Sequence, residues 1–158
     1  MKKQFLITSC LAFGMMTFGS AAAQSGGTKP GNCAIYAEMS ADTVKKDARF
    51  NGHDDIAPAL MKFAAAQTAK MKAGMADTYA ASKAYGYSRE RVDELIEEQH
   101  AVVRASFFTS TMDKNKLYMD HVQAVHKCGQ AQSSPTDLGQ SPEAFTKVLQ
   151  TMAEIVRG

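Results

Sequence analysis

The histidines are the residues best suited to chemistry, and one of them follows a glutamate by three residues. Glu97 and His100 form a Glu-x-x-His pattern, which puts a carboxylate and an imidazole on one face of a helix. Di-iron helical bundles use this spacing, but on two helices and with further glutamate ligands. The sequence contains no second copy. A solvated polar helix face is therefore the favoured interpretation.

The other histidines suggest metal binding only weakly. His121 and His126 precede Cys128, but five residues separate the two histidines, which is about 140° around a helix, so they do not share a face. His53 lies in the acidic segment 51–55, whose composition suits a cation or a catalytic pair. A simpler interpretation is that the Asn-Gly pair of this segment ends one helix and that an aspartate caps the next.

A bound cofactor is not predicted, although one alternative stays open. The chain has no Cys-x-x-Cys-His motif for covalent haem attachment. A helical bundle can still hold haem or a metal ion through methionine and histidine, and the candidate ligands here are Met39, His100, His121 and His126. Met71 and Met75 lie one helical turn apart, which suits soft copper, but filling of a helical core is the favoured role for methionine.

Catalytic motifs are missing, whereas one cluster favours recognition. The sequence has no G-x-S-x-G, no H-E-x-x-H and no glycine-rich phosphate loop, so an enzyme is not predicted. Tyrosine and arginine are enriched at binding hot spots, and both gather near one predicted helix turn, at Tyr79, Tyr85, Tyr87, Arg89 and Arg91. The alternative is a tyrosine-rich turn packed on itself.

The first residues predict export. Lys2 and Lys3 precede an apolar stretch over 5–18, and alanines at 21–23 match a signal-peptidase site, so residues 1–23 are predicted to be a signal peptide. The apolar run is shorter than the ~20 residues that span a bilayer. A lipoprotein with the lipid on Cys10 is a third interpretation. The expected location is periplasmic or secreted.

Removal of this leader changes the charge and the cysteine count. Without Lys2 and Lys3 the basic and acidic residues are equal in number, which argues against nucleic-acid binding. Cys33 and Cys128 remain, and an even pair in an exported chain predicts one disulfide. Free or metal-bound thiols are the alternative.

Apolar residues recur at helical spacing, which predicts an all-α bundle of four to five helices tied by the disulfide. After a flexible lead-in at 24–31, a single domain covers 32–158. Val92, Leu95 and Val102 are expected on the buried face of a helix that starts at Ser88. Four helices are expected: A at 32–49, B at 55–84, C from Ser88 to about Gly129 (continuous or broken near Thr111), and D from a Ser141 cap with Pro142 at its first position.

The function expected from these features is a periplasmic, non-enzymatic helical protein that binds an unidentified protein of the cell envelope. It is expected to bind no nucleic acid and to have no membrane span after signal cleavage. A bundle that carries a metal or haem is the alternative.

Overall fold

The computed structural model describes residues 28–108, 114–132 and 134–158. The predicted signal peptide and the proposed break near Thr111 lie outside these residues. Everything described is helix, turn or loop, without a strand, so the prediction of an all-α fold is confirmed. No helix in the described ranges is long and apolar enough to cross a membrane.

Six helices of nine residues or more form the described part, with a 3-10 turn and a one-turn helix between them. The bounds are α1 Pro30–Lys46, the 3-10 turn Ala48–Phe50, α2 Ile56–Ala73, α3 Ala76–Ala84, α4 Arg89–Phe108, α5 Lys114–Ala131, α6 Pro135–Leu138 and α7 Pro142–Arg157. Predicted helix B corresponds to α2 and α3, and the described parts of predicted helix C are α4 and α5, on either side of residues 109–113.

Local sequence signals account for most helix starts. The Ser141 hydroxyl accepts a hydrogen bond from the Ala144 amide at 3.2 Å, and Pro142 opens α7, as the sequence predicted. Ser88 caps α4 in the same way. Helix α1 starts earlier than expected, because Pro30 takes its first position, where a missing N–H costs nothing.

The predicted helix B divides at Gly74. The Gly74 amide donates to the Lys70 carbonyl at 3.1 Å, and the Met75 amide donates to Lys72 at 3.2 Å, a tighter turn that ends α2. Glycine in a helix interior costs about 1 kcal/mol relative to alanine. Helix α3 buries none of its residues, so core packing does not offset this cost.

The core lies between α1, α2, α5 and α7. Leu60 and Phe63 of α2, Val125 of α5 and Met152 of α7 are all completely buried. The rings of Phe63 and Phe145 lie 4.7 Å apart between centroids. Packing of these apolar stripes accounts for the association of the four helices.

The predicted disulfide is confirmed. Cys33 and Cys128 are bonded, with their Cα atoms 5.8 Å apart, and both are buried. The bond joins the start of α1 to the end of α5. This is possible because α5 packs against α1 and α7, whereas α4 packs chiefly against α3.

The polar residues 134–140 between α5 and α7 are held in place by hydrogen bonds and by a buried leucine. Ser134 caps the short helix α6, and Leu138 is buried. The Gln67 side chain donates to the Asp137 carbonyl at 2.7 Å, and Gln140 donates to the Ala59 carbonyl at 3.1 Å. These bonds fix the loop to α2. The side-chain amide of Gln132 donates a hydrogen bond to the carbonyl of Thr28, which precedes α1.

Replacement of Gly129 by alanine is expected to lower the free energy of unfolding by about 1–3 kcal/mol. A Cβ atom at this position of α5 would lie 2.4 Å from a ring carbon of Phe145, which is buried and held by Phe63. Urea unfolding measures the change. Gly74→Ala is the matched control, because its Cβ would meet nothing closer than 3.5 Å and should leave stability unchanged or raise it. A G129A protein as stable as the original would contradict the close contact.

Candidate functional site

Helices α3 and α4 pair with each other outside the core, and we refer to residues 76–108 as the arm. Helix α3 contains no buried residue. Among the α4 side chains that the structure describes, Val92 alone is buried, and it does not belong to the main core cluster. The arm is therefore a surface element held by contacts between its own helices and by a few polar contacts to α1 and α2.

Asp93 joins the two helices of the arm to each other and to α2. Its carboxylate accepts a hydrogen bond from the Tyr79 hydroxyl at 2.6 Å and forms an ion pair with the Lys72 ammonium group at 3.2 Å. These contacts hold the pKa of Asp93 below its usual value, and the hydrogen bond from Tyr79 is the largest cause. The Arg89 guanidinium lies 4.6 Å from the centre of the Tyr79 ring. Tyr79 and Arg89, two of the predicted binding residues, thus stabilise the arm itself.

The remaining predicted binding residues differ in their surroundings. Tyr85 is 81% exposed and Tyr87 is 50% exposed, on either side of Gly86, whose φ of 83° requires glycine in this turn. Arg91 forms ion pairs with Glu94 at 2.9 Å and with Glu98 at 3.3 Å along α4. The structure therefore leaves the two tyrosines at the tip accessible to a partner.

The outer surface of α4 combines acidic and apolar side chains. One face of α4 carries five acidic residues, Glu90, Asp93, Glu94, Glu97 and Glu98. Leu95 is 38% exposed and Val102 is 64% exposed, two turns further along the helix and on the same face as Leu95. The expectation that these two residues face the core is wrong. Helical spacing identified an apolar stripe correctly, but no described helix covers it.

Large apolar side chains are concentrated on the arm. Five are exposed in the described part of the chain, and four of them belong to the arm. These four are Tyr85, Tyr87, Leu95 and Val102, and the fifth is Met61 of α2. We refer to the four arm residues as the apolar patch.

The four alternative metal ligands occupy different environments on three helices. Met39 of α1 and His121 of α5 are buried, His100 of α4 is half-buried, and His126 is exposed. Cys128 is in the disulfide and cannot act as a thiolate. Within the described ranges, no three His, Cys, Asp or Glu side chains are grouped so as to hold a metal ion. Glu97, the carboxylate of the Glu-x-x-His pattern, instead lies 3.5 Å from Arg104.

His121 lies in the interior, beside an aromatic ring. Its ring centroid is 6.0 Å from that of Tyr36. Burial lowers the pKa of His121 to about 4, against a smaller opposing effect of the Asp120 charge. The imidazole is therefore neutral at physiological pH.

The acidic segment 51–55 forms a turn between α1 and α2, but the prediction that an aspartate of this segment caps the next helix is wrong. Gly52 has a φ of 87°, and the His53 amide donates to the Phe50 carbonyl at 2.9 Å. Asp55 precedes α2 but makes no side-chain cap bond. Asp54 and Asp55 are exposed.

The fold and its surface define a small all-α protein with one disulfide and a solvent-facing pair of helices that carries four exposed apolar side chains and an acidic helix face. Comparison with protein-family models, with curated proteins and with solved structures finds no match for this chain.

Proposed function

We propose that this protein is an exported, non-enzymatic binding protein, and that its arm binds another protein in the cell envelope. The observation that carries the proposal is the concentration of exposed apolar side chains on two helices that contribute almost nothing to the core. Exposed apolar surface marks an interaction site where side chains lie together, and two pairs do so here: Tyr85 and Tyr87 flank one turn, and Leu95 and Val102 share one face of α4. Export is supported by the leader-like first residues and by the disulfide, a bond that persists in oxidising compartments.

The charge of α4 restricts the chemistry of the partner. Glu98 lies three residues after Leu95 and four before Val102, so it borders both on the helix surface. Arg91 pairs with Glu94 and Glu98 and offsets one of the five acidic charges of this helix. A complementary segment presents apolar side chains to Leu95 and Val102 and basic side chains to the glutamates. An amphipathic helix with an apolar residue every two turns and lysine or arginine along one border meets both requirements.

Substitution of the apolar patch is expected to weaken partner binding at least tenfold. A photoreactive side chain at position 85 first captures the partner from an envelope extract, with the same group at the exposed position 147 of α7 as the control. The affinity of the identified partner is then measured for Tyr85→Ala with Tyr87→Ala, and for Leu95→Ser with Val102→Ser. Only a minority of interface residues cost more than about 1 kcal/mol on truncation, and tyrosine is enriched among them whereas leucine and valine are not, so the tyrosine pair is expected to have the larger effect.

Two further variants make the result specific. Met61→Ser removes an exposed apolar side chain outside the arm and should leave the affinity unchanged. Glu94→Gln with Glu98→Gln should lower the association rate and reduce its dependence on salt, because rim charges act mainly on encounter. Equal affinity of the patch variants and the original protein, or equal loss in M61S, would refute the proposal.

A further inference from the structure

Three helices meet at Gly31, and two potential metal donors lie at this junction. A Cβ atom added to Gly31 of α1 would be 2.9 Å from Sδ of Met71 in α2 and 3.7 Å from Nε2 of His100 in α4. The space that a side chain at Gly31 would fill is therefore bordered by a thioether sulfur and by an imidazole nitrogen. Both donor residues are half-buried.

The protonation state of His100 suits coordination. Burial is the main cause that lowers its pKa, and the nearby Arg104 acts in the same direction, while Glu97 opposes them. A neutral imidazole keeps one nitrogen lone pair, which is the donor that a metal ion binds.

The donor types select the kind of metal. Thioether sulfur favours soft ions such as Cu(I), and imidazole is also a copper ligand. Zinc sites need three or four protein ligands from cysteine, histidine or carboxylate, and no such group occurs in the described ranges. The two cysteines of those ranges are oxidised to the disulfide, so they do not compete as thiolates.

We propose that Met71 and His100 form a binding site for a soft monovalent metal ion, Cu(I), at the junction of α1, α2 and α4. The ion bridges α2 and the arm through Met71 Sδ and His100 Nε2. This site is independent of the proposed partner binding, since neither residue belongs to the apolar patch. It replaces the Met71–Met75 pair that the sequence suggested, because Met75 lies beyond the end of α2.

Titration with Ag(I), a redox-inert analogue of Cu(I), tests the site. The full chain carries Cys10→Ser so that no free thiol remains, and chloride-free buffer prevents precipitation. Calorimetry and native mass spectrometry are expected to show one bound ion per chain. Met71→Leu and His100→Gln should each weaken binding at least tenfold. Met61→Leu and His126→Gln are the matched controls, since both replace exposed residues and should leave the affinity unchanged.

A second measurement does not depend on the folding of a variant. Addition of Ag(I) to the protein with all of its histidines intact should shift the NMR signals of the His100 ring and leave those of the His126 ring unchanged. Unchanged His100 signals, equal weakening in the control variants, or no binding at micromolar Ag(I) would overturn the proposal. Partner affinity measured on the metal-free protein reports on the arm separately.

Discussion

Replacement of Cys33 and Cys128 by alanine together is expected to lower the free energy of unfolding by about 4–5 kcal/mol. The bond closes a loop with a sequence separation of 95 residues. In the chain-entropy description, a cross-link over a loop of this length destabilises the unfolded chain by about that amount. Since small domains are stable by only about 5–15 kcal/mol, the loss removes a large share of the total.

The measurement is urea unfolding of the double variant beside the original protein with and without a reducing agent. The reduced original protein should approach the variant, and the variant should not respond to reductant. The chain without the predicted signal peptide is used, since Cys33 and Cys128 are then its only cysteines. A loss below about 1 kcal/mol would contradict the entropic argument and would show that packing around α1 and α5 holds the ends without the bond.

Acidification from pH 6.5 to pH 4 is expected to destabilise the protein by about 3 kcal/mol through His121 alone. Burial depresses its pKa to about 4 in the folded protein, whereas an unfolded histidine titrates near 6.5. Between these values the unfolded chain binds more protons than the folded one. The stabilisation is therefore complete above pH 6.5 and is lost as the pH falls towards 4.

Other groups contribute to the pH profile with known signs. His100, whose pKa is also lowered by burial, adds to the loss over the same range. Glu38 acts in the opposite direction, because burial raises its pKa. The aspartates with lowered pKa values, such as Asp93 and Asp137, lose their contribution only at more acidic pH.

The difference between two proteins isolates the effect of His121. Urea unfolding at several values between pH 4 and pH 7 gives the slope for the original protein and for His121→Phe, which keeps an aromatic ring but cannot be protonated. The phenylalanine variant should lose most of the slope. His126→Gln, an exposed histidine of the same helix, should retain it. Equal slopes in all three proteins would show that His121 is accessible to protons in the folded state.

Features that depend on neighbours along the chain were predictable from the residues. Helix α7 begins at the predicted Ser141 cap and Pro142, and its buried face consists of residues at helical spacing, Phe145, Val148 and Met152. Caps, helical periodicity and turn glycines act over a few residues, so their physics is present in the local sequence. The disulfide followed from the parity of the cysteines, since two remained after the leader was set aside.

Features that depend on which helix packs opposite were not predictable from the residues alone. Leu95 and Val102 have the spacing of a core stripe, yet they are exposed because α5 rather than α4 packs on α1 and α7. Helix α2 ends at Gly74, and the helix that follows it, α3, has no buried residue. Met71 and His100 are distant in the chain and adjacent at Gly31. Burial and side-chain proximity arise from long-range packing of whole helices, and hydrophobic periodicity specifies a face without specifying what covers it.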